Sequence, residues 1–169
     1  MDEPKKNPIR DLHPNIWAVS LTSFFMDISS EMVLNILPLF LSSVLGVKTN
    51  IIGIIEGVAE ATSSILKIFS GWLSDKLRSR KWLAVAGYGI SALAKPFFYL
   101  ASSWEAIGAI RWADRVGKGV RTAPRDALVA DTVKPEQRGL AFGLHRAADT
   151  AGAMLGILIA ALVVWKVQA

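Results

Sequence analysis

The stretch Arg111-Trp112-Ala113-Asp114-Arg115-Val116-Gly117-Lys118-Gly119-Val120-Arg121-Thr122-Ala123-Pro124-Arg125 places six ionisable side chains at spacings mostly of three and four. On a helix turning about 100° per residue, Arg111, Asp114, Arg115, Lys118, Arg121 and Arg125 share roughly a third to a half of one face. The flanking residues are apolar over a length sufficient to cross a bilayer. An ionised group facing hydrocarbon costs several kcal/mol, so the row must turn toward protein or water. Such a row marks a pathway or a binding site.

The surroundings put this row in a membrane. Hydrophobic residues make up 52% of the 169, charged residues only 20%, and mean hydropathy is positive. A soluble fold of this length could hardly hide that much apolar surface. Five apolar segments are each near spanning length, at about 16–41, 51–72, 82–101, 104–130 and 140–165. The expected fold is an all-α integral membrane protein: a short segment at 1–15, then a transmembrane domain over 16–169. The breaks carry turn and cap chemistry. Gly46 offers a stop and Asn50 a start, Ser102-Ser103-Trp104-Glu105 reads as a capping box, and Pro135 falls in a first helical turn. Short loops imply antiparallel neighbours. The first segment carries Asp27 and Glu31 and runs on to Leu41, which a cleaved secretory signal would not tolerate.

Basic residues set the orientation. With the N-terminus inside, Lys5, Lys6, Arg10, Lys76, Arg78, Arg80, Lys81, Lys134 and Arg138 face the cytoplasm, and only Lys48 and Lys166 lie outside. The net charge of +5 is then largely an orientation signal, so a nucleic-acid partner is not expected. Cysteine is absent, which removes disulfides and thiolate metal sites. No metal or cofactor motif is legible.

Between the second and third segments stands Gly71-Trp72-Leu73-Ser74-Asp75-Lys76-Leu77-Arg78-Ser79-Arg80-Lys81. Gly71 permits close helix contact, and Asp75 at a helix C-terminus needs a cation such as Lys76, Arg80 or Lys81. The stretch resembles the loop signature of the major facilitator superfamily, with Arg78 where the family usually has glycine and Ser79 where it has a basic residue. The fourth segment, Arg111 through the glycine-rich Gly117-Lys118-Gly119 to Pro124 and Asp131, resembles the superfamily's fourth helix, in particular that of a bacterial subgroup rich in charge. Arg111 falls at the arginine implicated there in proton transfer. The fifth segment offers two small-xxx-small seams, Gly139 with Gly143 and Gly152 with Gly156. It partly resembles the antiporter signature of that helix, with Ile157 in place of its proline.

Other charges extend the row. Asp27 and Glu31 lie four apart, as do Glu56 and Glu60, while Arg146 and Asp149 share a face of the fifth segment. Counted from each segment's start, Glu31, Glu60, Arg115, Lys118, Arg146 and Asp149 fall near the bilayer midplane, where secondary transporters bind substrate and coupling ions. Two readings stand: paired salt bridges holding helices together, or a water-accessible cavity. Buried pairs rarely repay their desolvation, which favours the cavity and leaves Arg125 with Asp126 as a structural lock. A carboxylate such as Glu31 or Glu60 could then switch protonation as the cavity wets and closes. Five cations against two anions from Arg111 to Asp126 of the fourth segment point to an anionic solute held by arginine forks.

The resemblance implies twelve helices in two six-helix halves. This chain supplies five, without the sixth or the C-terminal half, so a fragment of a proton-coupled transporter of a small solute in a bacterial inner membrane is expected. Its partners would be the bilayer, the solute, protons and the missing half. The alternative is a truncated, non-transporting membrane protein that pairs with another chain. A hydrolase is set aside, because neither His-Glu-x-x-His nor Gly-x-Ser-x-Gly occurs.

Overall fold

A computed structural model describes Ile9 and residues 12–168, so the predicted basic residues Lys5, Lys6 and Arg10 lie outside the described part. Among the described residues the chain is helical, without strands. The helices are α1 (Pro14–Ser43), α2 (Thr49–Leu77), α3 (Arg80–Ala94), α4 (Trp104–Thr132) and α5 (Arg138–Gln168). A 3-10 stretch, Lys95–Leu100, continues α3, and a shorter one, Pro135–Gln137, leads into α5.

Helices α1, α2, α4 and α5 each contain one of the expected segments and overrun it at one or both ends, whereas α3 stops at Ala94 and the expected 82–101 stretch is carried on to Leu100 only by the 3-10 turn that follows it. Hydropathy marks only the apolar stretch, whereas polar end residues such as Asp75 and Lys76 continue the hydrogen-bond ladder. Three spans are long and apolar enough to cross a membrane: Pro14–Ser43, Arg80–Leu100 and Pro135–Val167. Helices α2 and α4 have the length but are not apolar enough to be counted with them.

The starts and stops follow local chemistry, with two changes. Pro14 opens α1 behind a His13 cap, and Gly46 turns the chain with φ of +64°. Helix α2 begins at Thr49 after Lys48, so Asn50 is already inside it and caps nothing. On α4 the cap is Ser103, not Ser102: its hydroxyl accepts the Ala106 N–H at 3.3 Å. Glu105 is then one position short of closing a capping box.

The packing departs from the neighbour rule drawn from short loops. Helix α1 lies along α5, while α4 is sandwiched between α2 and α3; α1 with α2, α2 with α3, and α4 with α5 scarcely touch. A short loop joins two helix ends but does not dictate which faces meet over the remaining length. Contact is set by where backbones can approach. A Cβ on Gly117 would lie 2.6 Å from the Gly87 carbonyl of α3, and one on Gly119 would lie 2.7 Å from the Ser63 carbonyl of α2. Gly152 and Gly156 of α5 similarly face the Phe24 and Ile28 carbonyls of α1, at 2.5 and 2.6 Å. Pro124 is buried on α4. The other expected seam is not a close contact, since Gly139 and Gly143 have no neighbour within 4 Å of a Cβ.

This contrast is measurable. Gly152→Ala should destabilise the protein by about 1–3 kcal/mol, because the added methyl drives α1 from α5. Gly143→Ala should leave stability unchanged or raise it by about 0.5–1 kcal/mol, through helix propensity alone. Thermal unfolding of both variants in detergent checks the order; equal losses would show that Gly143 is packed.

Candidate functional site

Five of the six ionisable groups in the α4 row are buried: Arg111, Asp114, Arg115, Arg121 and Arg125. Their cover is α2 on one side and α3 on the other, so the charges meet protein in place of lipid. They do not form one constellation. Arg111 and Arg125 are fourteen positions apart, about 20 Å along the helix axis, and each is the centre of its own cluster.

The first cluster joins α4 to α2. Arg111 grips Glu56 with both arms of its fork, Nε to Oε1 at 2.9 Å and Nη2 to Oε2 at 2.7 Å. Its Nη1 lies 3.5 Å from Asp114. One turn further, Arg115 approaches Glu60 at 3.6 Å, but Glu60 is more than half exposed and Arg115 Nε has no partner. Two short bonds from one guanidinium to one carboxylate make Arg111–Glu56 the tighter tie.

The second cluster joins α4 to α1, α3 and α5. Arg125 donates to Asp126 at 3.0 and 2.9 Å and to Ser23 Oγ of α1 at 3.1 Å, and lies 3.7 Å from Asp149 of α5. Arg146 of α5 reaches back to Asp126 at 3.6 Å and to Asp149 at 3.7 Å. His145, fully buried, stands 3.6 Å from Asp149 and 3.5 Å from Ser20 of α1. Ser23 also bonds the Tyr88 hydroxyl of α3. Between the clusters, Arg121 sits 4.7 Å over the Tyr88 ring and donates to Ser91 at 2.8 Å.

The remaining expected site residues are placed more openly. Lys118 is half-buried, with no ion-pair partner among the described residues. Asp27 is half-buried on α1, and Glu31 takes a 3.4 Å contact from Asn35 of its own helix. Sequence reading missed Ser20, Ser23, Tyr88 and Ser91, whose hydroxyls carry no charge signal, and it gave His145 no place in the site. It also missed the bond set of Lys95, which donates to Ser30 at 2.9 Å and to the Met26 carbonyl at 3.2 Å.

At the basic end of the bundle, Arg80 bridges Asp75 at 3.3 Å and Asp131, the end of α4, at 3.0 Å. Arg78, where glycine was the expected type, takes the left-handed conformation with φ of +52°. The tight turn is therefore kept with a side chain on it, at a cost of about 1–2 kcal/mol. Lys76 and Lys81 lie over Trp72 and Trp82, at 4.9 and 5.9 Å. A cavity of about 650 Å³ opens here, lined by Asp75, Arg78, Arg80, Lys81, Trp82 and Asp131 among others. Gly71 faces Ala123 of α4 at 3.4 Å from a Cβ.

A basic turn after α2, pairing with the end of a charged, glycine-lined α4, is matched by a family model. The model described as Major Facilitator Superfamily covers residues 19–167. The chain belongs to the major facilitator superfamily. An uncharacterised MFS-type transporter of Methanocaldococcus jannaschii is 42% identical over 161 residues, 94% of this chain and 39% of that protein. An uncharacterised protein of Mycobacterium tuberculosis is 36% identical over 69% of this chain and 29% of its own length. The multidrug resistance protein MdtH of Cronobacter sakazakii is 32% identical over 73% of this chain and 30% of its own. The chain thus spans about two-fifths or less of these relatives. It is a multi-pass, all-α membrane protein of a transporter family.

The two α2–α4 ties should differ in weight. Glu56→Gln strands a buried guanidinium and should cost about 3 kcal/mol. Glu60→Gln, whose partner sits beside a half-exposed side chain, should cost less than about 1 kcal/mol. Unfolding in detergent with both single variants decides; a Glu60→Gln loss as large as that of Glu56→Gln would contradict the assignment.

Proposed function

We propose that this chain is the N-terminal portion of a secondary active transporter that moves a small solute by alternating access, coupled to protons. Its transport-competent form would include a sixth helix and a second half. The observation that carries the reading is the pair Arg115 and Lys118, at mid-length of α4. Neither is tied as Arg111 is: one has an unpartnered Nε and a half-exposed carboxylate nearby, the other has no ion pair among the described residues. Cations held purely for packing would be saturated, because a buried charge without full pairing is costly. Groups that receive a ligand are left with spare donors.

The excess of cations on α4 favours an anionic solute, with Arg115 and Lys118 as its clamp and Arg111, Asp114, Arg121, Asp27, Glu31, Glu56, Glu60, Arg146 and Asp149 around it. The Asp75–Arg80–Asp131 bridge would serve as a gate, because it ties the α2–α3 turn to the end of α4 and must break if those elements part. The basic end would face the cytoplasm of a bacterial cell, with the chain in the inner membrane. Relatives named as MFS-type transporters and as a multidrug resistance protein support transport of small solutes in general.

Two outcomes are expected. In the complete gene product, Arg115→Gln and Lys118→Gln should shift thermal stability by less than about 1 kcal/mol while abolishing solute binding or uptake in proteoliposomes. Unfolded variants, or variants that still transport, would make this helix a structural lock. Reporters fused after Lys81 and Arg138 should read cytoplasmic, and those after Lys48 and Ser103 external; an external signal at Lys81 would reverse the orientation.

A further inference from the structure

The bundle consists of two units, the α1–α5 pair and the α2–α4–α3 trio, and the seam between them is apolar only at its ends. At one end Leu12, Ile16, Val129, Val133 and Ala141 pack together; at the other, Leu37, Leu41, Val47, Ile52 and Ile107 do. Between them the seam is ionic. Arg125 of the trio faces Asp149 of the pair at 3.7 Å, and Arg146 of the pair faces Asp126 of the trio at 3.6 Å.

Asp149 is the unusual member. Arg125, Arg146 and His145 all lie 3.6–3.7 Å from its Oδ2, none at hydrogen-bond length, and its buried Oδ1 has no partner. His145 is wholly enclosed, and its Nε2 also lacks a bond. A buried imidazole with an unbonded Nε2 stands 3.6 Å from the Oδ2 of a carboxylate one turn on, and that carboxylate is only 15% exposed with its Oδ1 unpartnered, which makes a place for one additional proton. Arg125 does not depend on Asp149, since Asp126 and Ser23 already take its donors. Neutralising Asp149 therefore orphans no cation.

We propose that Asp149 and His145 form a proton-binding site whose occupancy sets how the α1–α5 pair sits against the α2–α4–α3 trio. Its use as the coupling site rests on the transporter reading above. With Asp149 ionised, the imidazole proton is on Nε2 facing the carboxylate, and the Ser20 hydroxyl donates to Nδ1. A proton arriving at Nδ1 displaces the Nε2 proton onto Asp149. The imidazole stays neutral, Ser20 turns from donor to acceptor, and the new carboxyl O–H donates to Nε2. The net change is one proton gained and one negative charge lost, and the attraction of Asp149 for Arg125 and Arg146 goes with it. The seam then keeps Arg146–Asp126 and its apolar ends, and the units are free to slide. The charged and titratable groups facing the site are Arg125 and Asp126 of α4, Arg146 of α5 and, from α1, Asp27; Tyr88 of α3 lies behind Arg125, sharing Ser23 with it.

The chain has no cysteine, so a label pair can be introduced directly. Cysteines at Leu93 of α3 and Met154 of α5, 71% and 60% exposed, carry spin labels across the seam. Pulsed dipolar distances in lipid nanodiscs should shift as pH is lowered. Asp149→Asn should hold the low-pH distances at every pH, and His145→Gln should displace the midpoint. Glu105→Gln, at the exposed start of α4, should behave as the parent does. If Asp149→Asn fails to fold, Asp149→Glu should keep both end states and move the midpoint; an unmoved midpoint would overturn the site. A pH response that survives Asp149→Asn, or that disappears in Glu31→Gln instead, would also overturn it. Solute transport indifferent to a proton gradient, with the distance change intact, would overturn the coupling reading and leave the seam standing.

Discussion

Everything in this bundle depends on enclosing one helix that lipid would reject. Helix α4 carries Arg111, Asp114, Arg115, Lys118, Arg121, Arg125 and Asp126, and no arrangement of α4 alone hides that row from hydrocarbon. The solution is steric before it is electrostatic. Gly117 admits the Gly87 backbone of α3, and Gly119 admits the Ser63 backbone of α2, so two helices can close on the charged core at backbone-to-backbone range. Only at that range do Ser91 and Tyr88 of α3 and Glu56 of α2 reach the guanidiniums. The glycines and the arginines are one feature: without the first the second would face lipid or unpaired space.

The charges then divide by how completely they are matched. Arg111 with Glu56 forms a fork with two short bonds, which fixes α2 against α4 and leaves little freedom. Arg115 with Glu60, a single longer contact to an exposed carboxylate, fixes much less. Arg125 and Asp126 satisfy each other within α4 and so serve the α5 contacts loosely, at 3.6–3.7 Å. Buried salt bridges are weak sources of stability but strong sources of specificity when one partner has no substitute. On that basis Arg111 is committed to the fold, while Arg115 and Asp149 keep an unpartnered polar atom and Lys118 has no ion pair among the described residues, which is why the proposed function and the proposed proton site rest on them.

The five helices were legible because hydropathy and cap chemistry are local. Gly46, Ser103 and Pro135 each act within a turn of the chain, and their effects lie within a residue or two of expectation. The pairing of helices was not legible from loop length, because loops constrain ends while glycine placement constrains faces. Two seams of the same spacing on α5 show this: Gly152 and Gly156 meet α1, whereas Gly139 and Gly143 meet nothing. Nothing within the spacing itself distinguishes them. The family resemblance was carried by residues whose role is also local, the Asp75–Arg80 turn and the α4 row, and the family match covers residues 19–167. The division of the charges into two clusters about 20 Å apart needed the third dimension, because helical wheels project depth away.

Under the proposed function, one row on α4 holds both locks and a moving site. Along α4 the tightly matched group, Arg111, lies toward the Trp104 end, and the loosely matched seam lies toward the basic end, where Arg80 ties Asp75 to Asp131. The α2–α4–α3 trio is thus bound at mid-length by close glycine contacts, while the α1–α5 pair meets it through apolar clusters at two ends and ion pairs between them. Apolar clusters resist separation but tolerate small sliding, since their attraction depends on area and not on direction. Ion pairs do the reverse, because their strength falls steeply once geometry is lost in a low-dielectric setting. On the proposed reading, a seam built this way has one state held by charge and a set of nearby states held by area, with a proton on Asp149 choosing between them.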